Sequence, residues 1–258
     1  MPTSRENNSP LTFWDHLDAL RGSIVRIIVS VLSLGIVAFA FKDLLFKLLF
    51  APKYSSFVTY RLFSSLLGAD AGGFSVDLIN TGLAQQFMVH MKASFAVGAL
   101  LASPYIVYVC FKFIAPALYA DEHRTAVRLV LGGYVMFLSG VALNYFLVFP
   151  LTFRFLGTYQ VSDEVRNLIS LDSYMSTLLL LSFMMGLMFE IPVLSWLLAR
   201  IGLLKADFMR KYRRHAIVVI LIVSAVITPT ADAFTLAVVS LPIYLLYELS
   251  ICLVSHSG

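Results

Sequence analysis

An acidic residue inside a long apolar run is the first feature of this sequence that could carry chemistry. Glu190 stands in Gly186-Leu-Met-Phe-Glu190-Ile-Pro192, where every neighbour is apolar. If the run crosses a membrane, the carboxylate costs at least about 2.5 kcal/mol and must face protein, water or a partner. Pro192 weakens a helix here, because it lacks an N–H donor and frees a backbone carbonyl. We predict that both residues serve a partner; a protonated Glu190 bonded to a neighbouring helix is the structural alternative.

Further acids lie near the ends of apolar segments. Asp121 and Glu122 follow residues 113–119, an aromatic segment with a central proline that holds the pair beside the membrane. Residues 12–21 have the pattern of an amphipathic surface helix, with a capping box at Thr12 and an apolar aromatic face. Asp18 and Arg21 share its polar face, because residues three apart are neighbours on a helix.

Residue patterns for catalysis are missing from the sequence. All five histidines fall at the ends of apolar segments or between them, so none could meet a serine at mid-membrane. The sequence shows no helical pair of metal ligands and no glycine loop that would cradle phosphate. Cys110 and Cys252 stand far apart in apolar runs and are interpreted as packing residues. We therefore expect no enzyme activity, no metal and no cofactor.

The composition requires a membrane to hold these residues. Apolar residues make up 59% of the chain and charged residues 13%, which no single soluble core of 258 residues could accommodate. Crossing about 30 Å of hydrocarbon takes roughly 20 apolar residues. The sequence therefore predicts an all-α integral membrane protein with six transmembrane helices. The predicted spans are residues 22–41, 85–111, 126–153, 172–199, 216–228 and 234–254.

The last two spans are predicted to be short. Uncharged residues run only from Ala216 to Ala231, about 24 Å of helix, before Pro229 and Asp232 break the pattern. A short fifth helix, and a sixth helix that is short with it, predict a bilayer that is thinned on this side of the protein.

Basic residues predict the orientation. Twelve Lys and Arg residues lie in the N-terminal segment and in the second and fourth connections between spans. The first, third and fifth connections together contain six. Cytoplasmic segments carry the excess of positive charge, so both termini are expected in the cytoplasm. Residues 42–84 then form an outer cap loop with a short amphipathic helix, and residues 1–21 form a cytoplasmic segment. Without a repeat or a low-complexity linker, residues 1–258 are expected to form one domain. No basic stripe alternates with aromatics, so no nucleic-acid partner is expected.

Five motifs together resemble the TatC family of twin-arginine (Sec-independent) protein translocase subunits, and they occur in that family's order. They are His16-Leu-Asp-Ala-Leu-Arg21, Phe113-Ile-Ala-Pro-Ala-Leu-Tyr119 with Glu122, Tyr145-Phe-Leu-Val-Phe-Pro150, Phe189-Glu-Ile-Pro192 and Leu241-Pro-Ile-Tyr-Leu-Leu-Tyr-Glu248. The resemblance covers about residues 13–253. It implies a curved, glove-like bundle in a bacterial inner membrane.

The resemblance also implies function. It implies a receptor that binds twin-arginine signal peptides of folded precursors at the cytoplasmic face. Single-span TatA and TatB proteins and other TatC copies would be its partners, and the proton-motive force would drive export. Within that function we predict roles for three sets of residues. The residues predicted to bind the signal peptide are Glu122, Asp121, Asp18, Arg21, Phe113 and Tyr119. Those predicted to bind a partner within the membrane are Glu190, Pro192 and Thr228. Those predicted to have a structural role are Pro52, Pro116, Pro150, Asp232 and Glu248.

Two positions depart from the family pattern. The family usually has Glu directly before the Leu-Arg pair, where this chain has Ala19. Either Asp18 substitutes through a shifted helix, or recognition depends more on Glu122. Residues 228–232 also form a turn that is one residue longer than the family's.

Two other classes of function remain as alternatives. The first is a proton-coupled secondary transporter that uses Glu190 with Lys92 or Glu248 as a relay, although such proteins often contain paired repeats and none is visible. The second is a passive scaffold, for which Glu122 and Glu190 would be dispensable.

Overall fold

Helices account for most of the structure. The computed structural model describes residues 13–67, 76–114, 123–162, 164, 167–228, 230 and 232–257; the side chains of residues 13–19, 66–67, 111–114, 123–128 and 257 are not described. Within these ranges the helices are α1 (Phe13–Ala40), α2 (Lys42–Phe50), α3 (Val58–Leu67), α4 (Gln85–Ile114), α5 (His123–Leu143), α6 (Phe149–Thr158), α7 (Leu171–Met188), α8 (Ile191–Arg200), α9 (Ala206–Lys211), α10 (Arg213–Ile227) and α11 (Ala233–Ser257).

Five helical segments of the described chain are long and apolar enough to cross a membrane. They are Leu20–Ala40, Gln85–Cys110, Leu129–Thr158, Leu171–Arg200 and Ala233–His256. The predicted all-helical membrane fold is therefore confirmed, and five of the six predicted spans coincide closely with these segments. In the fourth of these segments, α7 forms the centre of the core, where Met175, Leu181 and Met185 are completely buried.

The two C-terminal helices differ in length. Helix α10 has 15 residues, about 22 Å, so the prediction of a short fifth helix is confirmed. Helix α11 has 25 residues, about 37 Å, so the prediction of a short sixth helix is wrong. Two local features account for its length. Asp232 caps its start by accepting a hydrogen bond of 2.7 Å from the Thr235 N–H, and Pro242 lies inside the helix without ending it.

Prolines shape three of the spans. Pro104 leaves the Leu100 carbonyl without its helical donor, and the Ser103 hydroxyl donates to that carbonyl at 2.6 Å. A π-helical segment, Asn144–Val148, joins α5 to α6 just before Pro150. The fourth span breaks into α7 and α8 at residues 189–190, directly before Pro192. The weak point predicted at Pro192 is therefore present in the structure.

Glycines allow the spans to approach closely. A Cβ atom on Gly98 of α4 would lie 2.6 Å from the backbone nitrogen of Gly35 in α1. A Cβ atom on Gly140 of α5 would lie 2.5 Å from the carbonyl oxygen of Met185 in α7. Small residues at such contacts are typical of membrane helices, which associate mainly through close packing.

Residues 42–67, which we name the cap, pack against one end of the bundle. The cap contains α2, a 3₁₀ turn at Ala51–Lys53 and α3, so the predicted amphipathic helix is present. The hydroxyl of buried Tyr60 lies 3.0 Å from the carbonyl oxygens of both Pro52 and Pro150 and shares its single proton between them. The Thr59 hydroxyl donates to the Phe146 carbonyl, whose α-helical donor would be the N–H that Pro150 lacks.

Two short strands join the loops beside the cap. Strand β1 (Leu78–Ile79) pairs in parallel with β2 (Ile169–Ser170). The sequence analysis predicted no strand here, because two residues are too few to show the alternation of a β-strand. The pair fixes the segment before α4 against the segment before α7.

Candidate binding site within the helical bundle

An apolar cavity of about 780 Å³ lies between α2, α4, α5 and α7. Its lining is almost entirely aliphatic and aromatic. Several lining side chains are also exposed, among them Leu48, Phe183 and Leu187, so the cavity opens to the surroundings of the bundle. In a membrane protein such an opening faces lipid, and an apolar helix could enter from the side.

The cavity extends along much of the membrane thickness. Its lining residues on α4 run from Ala96 to Cys110 at helical spacing, a length of about 21 Å. Leu49 of the cap lies at one end of the cavity, while Cys110 and Leu194 approach the other. The cavity is therefore long enough to lie against about 14 residues of another helix.

Glu190 is the charged residue that lines this cavity. It lies at the break between α7 and α8, and only 9% of it is exposed. Both of its carboxylate oxygens are buried, and neither has a hydrogen-bond partner in the described part of the chain. A buried carboxylate without a partner carries a large desolvation cost, so the arrangement suits a group that receives its partner from another molecule.

Other polar side chains near the cavity make hydrogen bonds within the bundle, although the Asn144 Oδ1 atom has no partner in the described part of the chain. The Asn144 amide donates to the Ser182 hydroxyl at 2.8 Å, and the Ser103 hydroxyl is bonded to its own helix. The Tyr145 hydroxyl donates at 2.7 Å to the Leu48 carbonyl and so fixes α2 over the cavity. Among the described residues that line the cavity, this leaves the Glu190 carboxylate for an incoming donor.

Several predicted site residues fall outside the description. Pro116, Tyr119, Asp121 and Glu122 lie in the range 115–122, which is not among the described residues. Phe113 and Asp18 lie in α4 and α1, but their side chains are likewise outside the description. Arg21 is described and is exposed on α1. The signal-peptide site predicted from these residues therefore remains a prediction.

Lys92 and Glu248, the weaker ionisable candidates, are both engaged elsewhere. The Lys92 ammonium lies 2.7 Å from the Asp172 carboxylate and joins α4 to α7. The Glu248 carboxylate lies 2.7 Å from the Arg213 guanidinium and joins α11 to α10. Neither residue is bonded to Glu190.

The turn between α10 and α11 is held by local hydrogen bonds. Thr228 is buried, and its hydroxyl donates to the Ser224 carbonyl at 2.9 Å, so it ends α10. Partial burial acts to raise the pKa of Asp232, but hydrogen bonds from Thr235 outweigh it and hold that pKa below its usual range. The ionised carboxylate is the form that caps the positive end of a helix best.

Sequence reasoning missed the tyrosines that fix the cap. The Tyr174 hydroxyl donates at 2.9 Å to the Leu49 carbonyl, 125 residues away. Burial raises the pKa of Tyr60 far above its ordinary value, partly opposed by nearby Arg154, so this hydroxyl keeps its donor proton. The aromatic residues were visible in the sequence, but no pattern in it shows which distant carbonyl each would meet.

The apolar spans and the cavity between them define a multi-span α-helical membrane protein. The sequence profile of the TatC family, described as Sec-independent protein translocase protein (TatC), matches residues 15–242. The Sec-independent protein translocase protein TatC of Blattabacterium sp. subsp. Periplaneta americana is 30% identical, and the match covers 96% of each chain. Its namesake from Desulforapulum autotrophicum is 33% identical over 95% of this chain and 84% of that protein.

A solved structure agrees with these relatives. It is described as the crystal structure of the twin-arginine translocase receptor TatC, and it superposes with a TM-score of 0.76 at 31% identity. The match covers 94% of this chain and 99% of the solved one. The chain belongs to the TatC family. It is therefore a non-catalytic membrane component of the Sec-independent protein translocase, which confirms the predicted family and the prediction that it is not an enzyme.

Proposed function

We propose that this protein is the receptor subunit of the translocase, in a bacterial inner membrane with both termini in the cytoplasm. It binds twin-arginine signal peptides at the cytoplasmic face and assembles there with TatA- and TatB-type single-span proteins and other copies of itself. The proton-motive force then drives export of the folded precursor. The observation that carries this proposal is the unpartnered Glu190 carboxylate in an apolar cavity that an incoming helix could fill.

The dimensions of the cavity support a signal peptide as its occupant. Signal peptides combine a basic segment with an apolar segment of about 7–15 residues. The apolar segment as a helix would be about 10–22 Å long, which fits the stretch of α4 that lines the cavity. The cavity also approaches the end of α4 at Ile114, from which the chain continues to Glu122. Glu122 follows Ile114 by eight positions in the sequence, and we infer that one peptide binds both sites at once.

Electrostatics supports Glu122 as the site for the arginines. Guanidinium groups bind carboxylates through paired hydrogen bonds with more directionality than an ammonium group has. Two arginines need at least two acids, so Asp121 or Asp18 would supplement Glu122, with Phe113 and Tyr119 beside them. Since Ala19 stands where the family usually has Glu, we infer that Glu122 carries the larger share of the binding.

The Glu122 site is tested by the change Glu122→Gln. It should weaken binding of a twin-arginine precursor about 10- to 150-fold, because one charge-assisted pair of about 1.5–3 kcal/mol is lost. The measurement is precursor binding to purified protein in nanodiscs. Asp121→Asn is the matched control and should weaken precursor binding less than Glu122→Gln does. An affinity for the Glu122→Gln protein equal to wild type would refute the assignment.

The transporter alternative finds less support. A proton path from Glu190 would need further ionisable groups that face it. Lys92 and Glu248, the candidates for such a relay, are held in ion pairs with Asp172 and Arg213. A receptor for apolar helices requires no such path.

A further inference from the structure

A second cavity, of about 950 Å³, lies beside the cap, and we propose that it binds the headgroup of an anionic phospholipid. Three lysines, Lys42, Lys47 and Lys53, line it, against one carboxylate, Asp43. None of the three ammonium groups is in an ion pair in the described part of the chain. Unpaired cations that converge on one cavity attract an anion, and phosphate is the anion that lysine commonly binds as a point charge.

The depth of the cavity favours a lipid over a soluble anion. Lys42 follows the last residue of the first span by two positions. Phe87 and Leu171, which also line the cavity, lie at the starts of two other spans. The cavity therefore lies where apolar spans end, at the level of lipid headgroups, where basic side chains interact with anionic lipids.

Aromatic side chains give the cavity the mixed character that a lipid requires. Phe87 and Tyr54 line it and are each more than half exposed, so they can contact the glycerol and upper acyl region. His90 also lines the cavity, and its ring stacks on Phe39 with centroids 3.9 Å apart. Its Nε2 atom is buried without a hydrogen-bond partner among the described residues.

The proposal is tested by removing the three charges together, as Lys42→Gln, Lys47→Gln and Lys53→Gln. The matched control is Lys205→Gln, Arg210→Gln and Lys211→Gln, which removes three exposed charges around α9. Native mass spectrometry would count the lipids retained from micelles that contain equal amounts of phosphatidylglycerol and phosphatidylcholine. Inorganic phosphate, added alone and as a competitor, separates a lipid headgroup from a soluble anion.

Wild type and control should retain phosphatidylglycerol in preference to phosphatidylcholine. In the triple lysine variant the preference for phosphatidylglycerol should fall at least about tenfold, because each lysine near an anionic lipid strengthens its binding about fivefold. In the single variant Lys47→Gln the same preference should fall about fivefold, and this variant provides the test if the triple variant does not fold. Undiminished retention by the lysine variants, or an equal loss in the control, would overturn the proposal. Displacement of the lipid by millimolar phosphate would overturn the lipid assignment in favour of a soluble anion.

Discussion

Glu190 keeps a buried carboxylate at a cost that its described surroundings do not offset. Insertion scales assign at least about 2.5 kcal/mol to an acid in the middle of a span. Asn144, by comparison, is completely buried but donates to Ser182. The Asn144 Oδ1 atom also lacks a partner among the described residues, but Asn144 contributes one hydrogen bond to the bundle, whereas Glu190 contributes none through its carboxylate.

The change Glu190→Ala should leave the protein folded and raise its unfolding midpoint in detergent, because no internal hydrogen bond is lost and a desolvation cost is removed. Binding of the precursor at the Glu122 loop should persist, whereas stable entry of its signal peptide into the cavity and assembly of the active translocase should fail. Thermal unfolding and blue-native electrophoresis measure the two effects.

Asn144→Ala is the matched control, and it should lower the midpoint, because it leaves the Ser182 hydroxyl without its donor. An equal or greater loss of stability in Glu190→Ala would show that the carboxylate belongs to an internal network and would contradict its role as a partner site.

At the scale of the helices, close contacts at glycine hold the spans together. Helices α1 and α4 approach each other at Gly35 and Gly98, where no side chain would fit between the two backbones. Lipid tails are as apolar as leucine, so hydrophobicity does not drive helices together in a membrane and close packing has to do so.

The change Gly98→Ala should therefore destabilise the bundle by several kcal/mol, because its Cβ would lie 2.6 Å from the Gly35 nitrogen and the helices must separate. Gly132→Ala on α5 is the control, since nothing lies within 4 Å of its added Cβ. That change should be neutral or stabilise by up to about 1 kcal/mol through helix propensity. Both values come from thermal or denaturant unfolding in one detergent, and a stable Gly98→Ala protein would contradict the packing described here.

At the scale of the whole molecule, the sequence predicted what hydropathy and charge determine, namely the spans and Glu190. It predicted a sixth helix as short as the fifth because the two follow each other as a pair, whereas α11 extends from Ala233 to Ser257 with Pro242 tolerated inside it. The cavity was also missed, since its shape depends on how α4, α5 and α7 pack against each other. The cap contacts, such as Tyr174 with the Leu49 carbonyl, join residues too distant in sequence to be paired by any local pattern.

Photocrosslinking from inside the apolar cavity tests most directly that the cavity holds a signal peptide. A photoreactive residue at Val141, which lines the cavity, is compared in membranes with one at Leu131, which lies on the same helix and is exposed outside it. We expect a twin-arginine precursor to crosslink at Val141 and not at Leu131, and the crosslink to disappear when its two arginines are replaced by lysines. No crosslink at Val141, or a single-span partner held there equally with and without precursor, would contradict a signal peptide as the occupant.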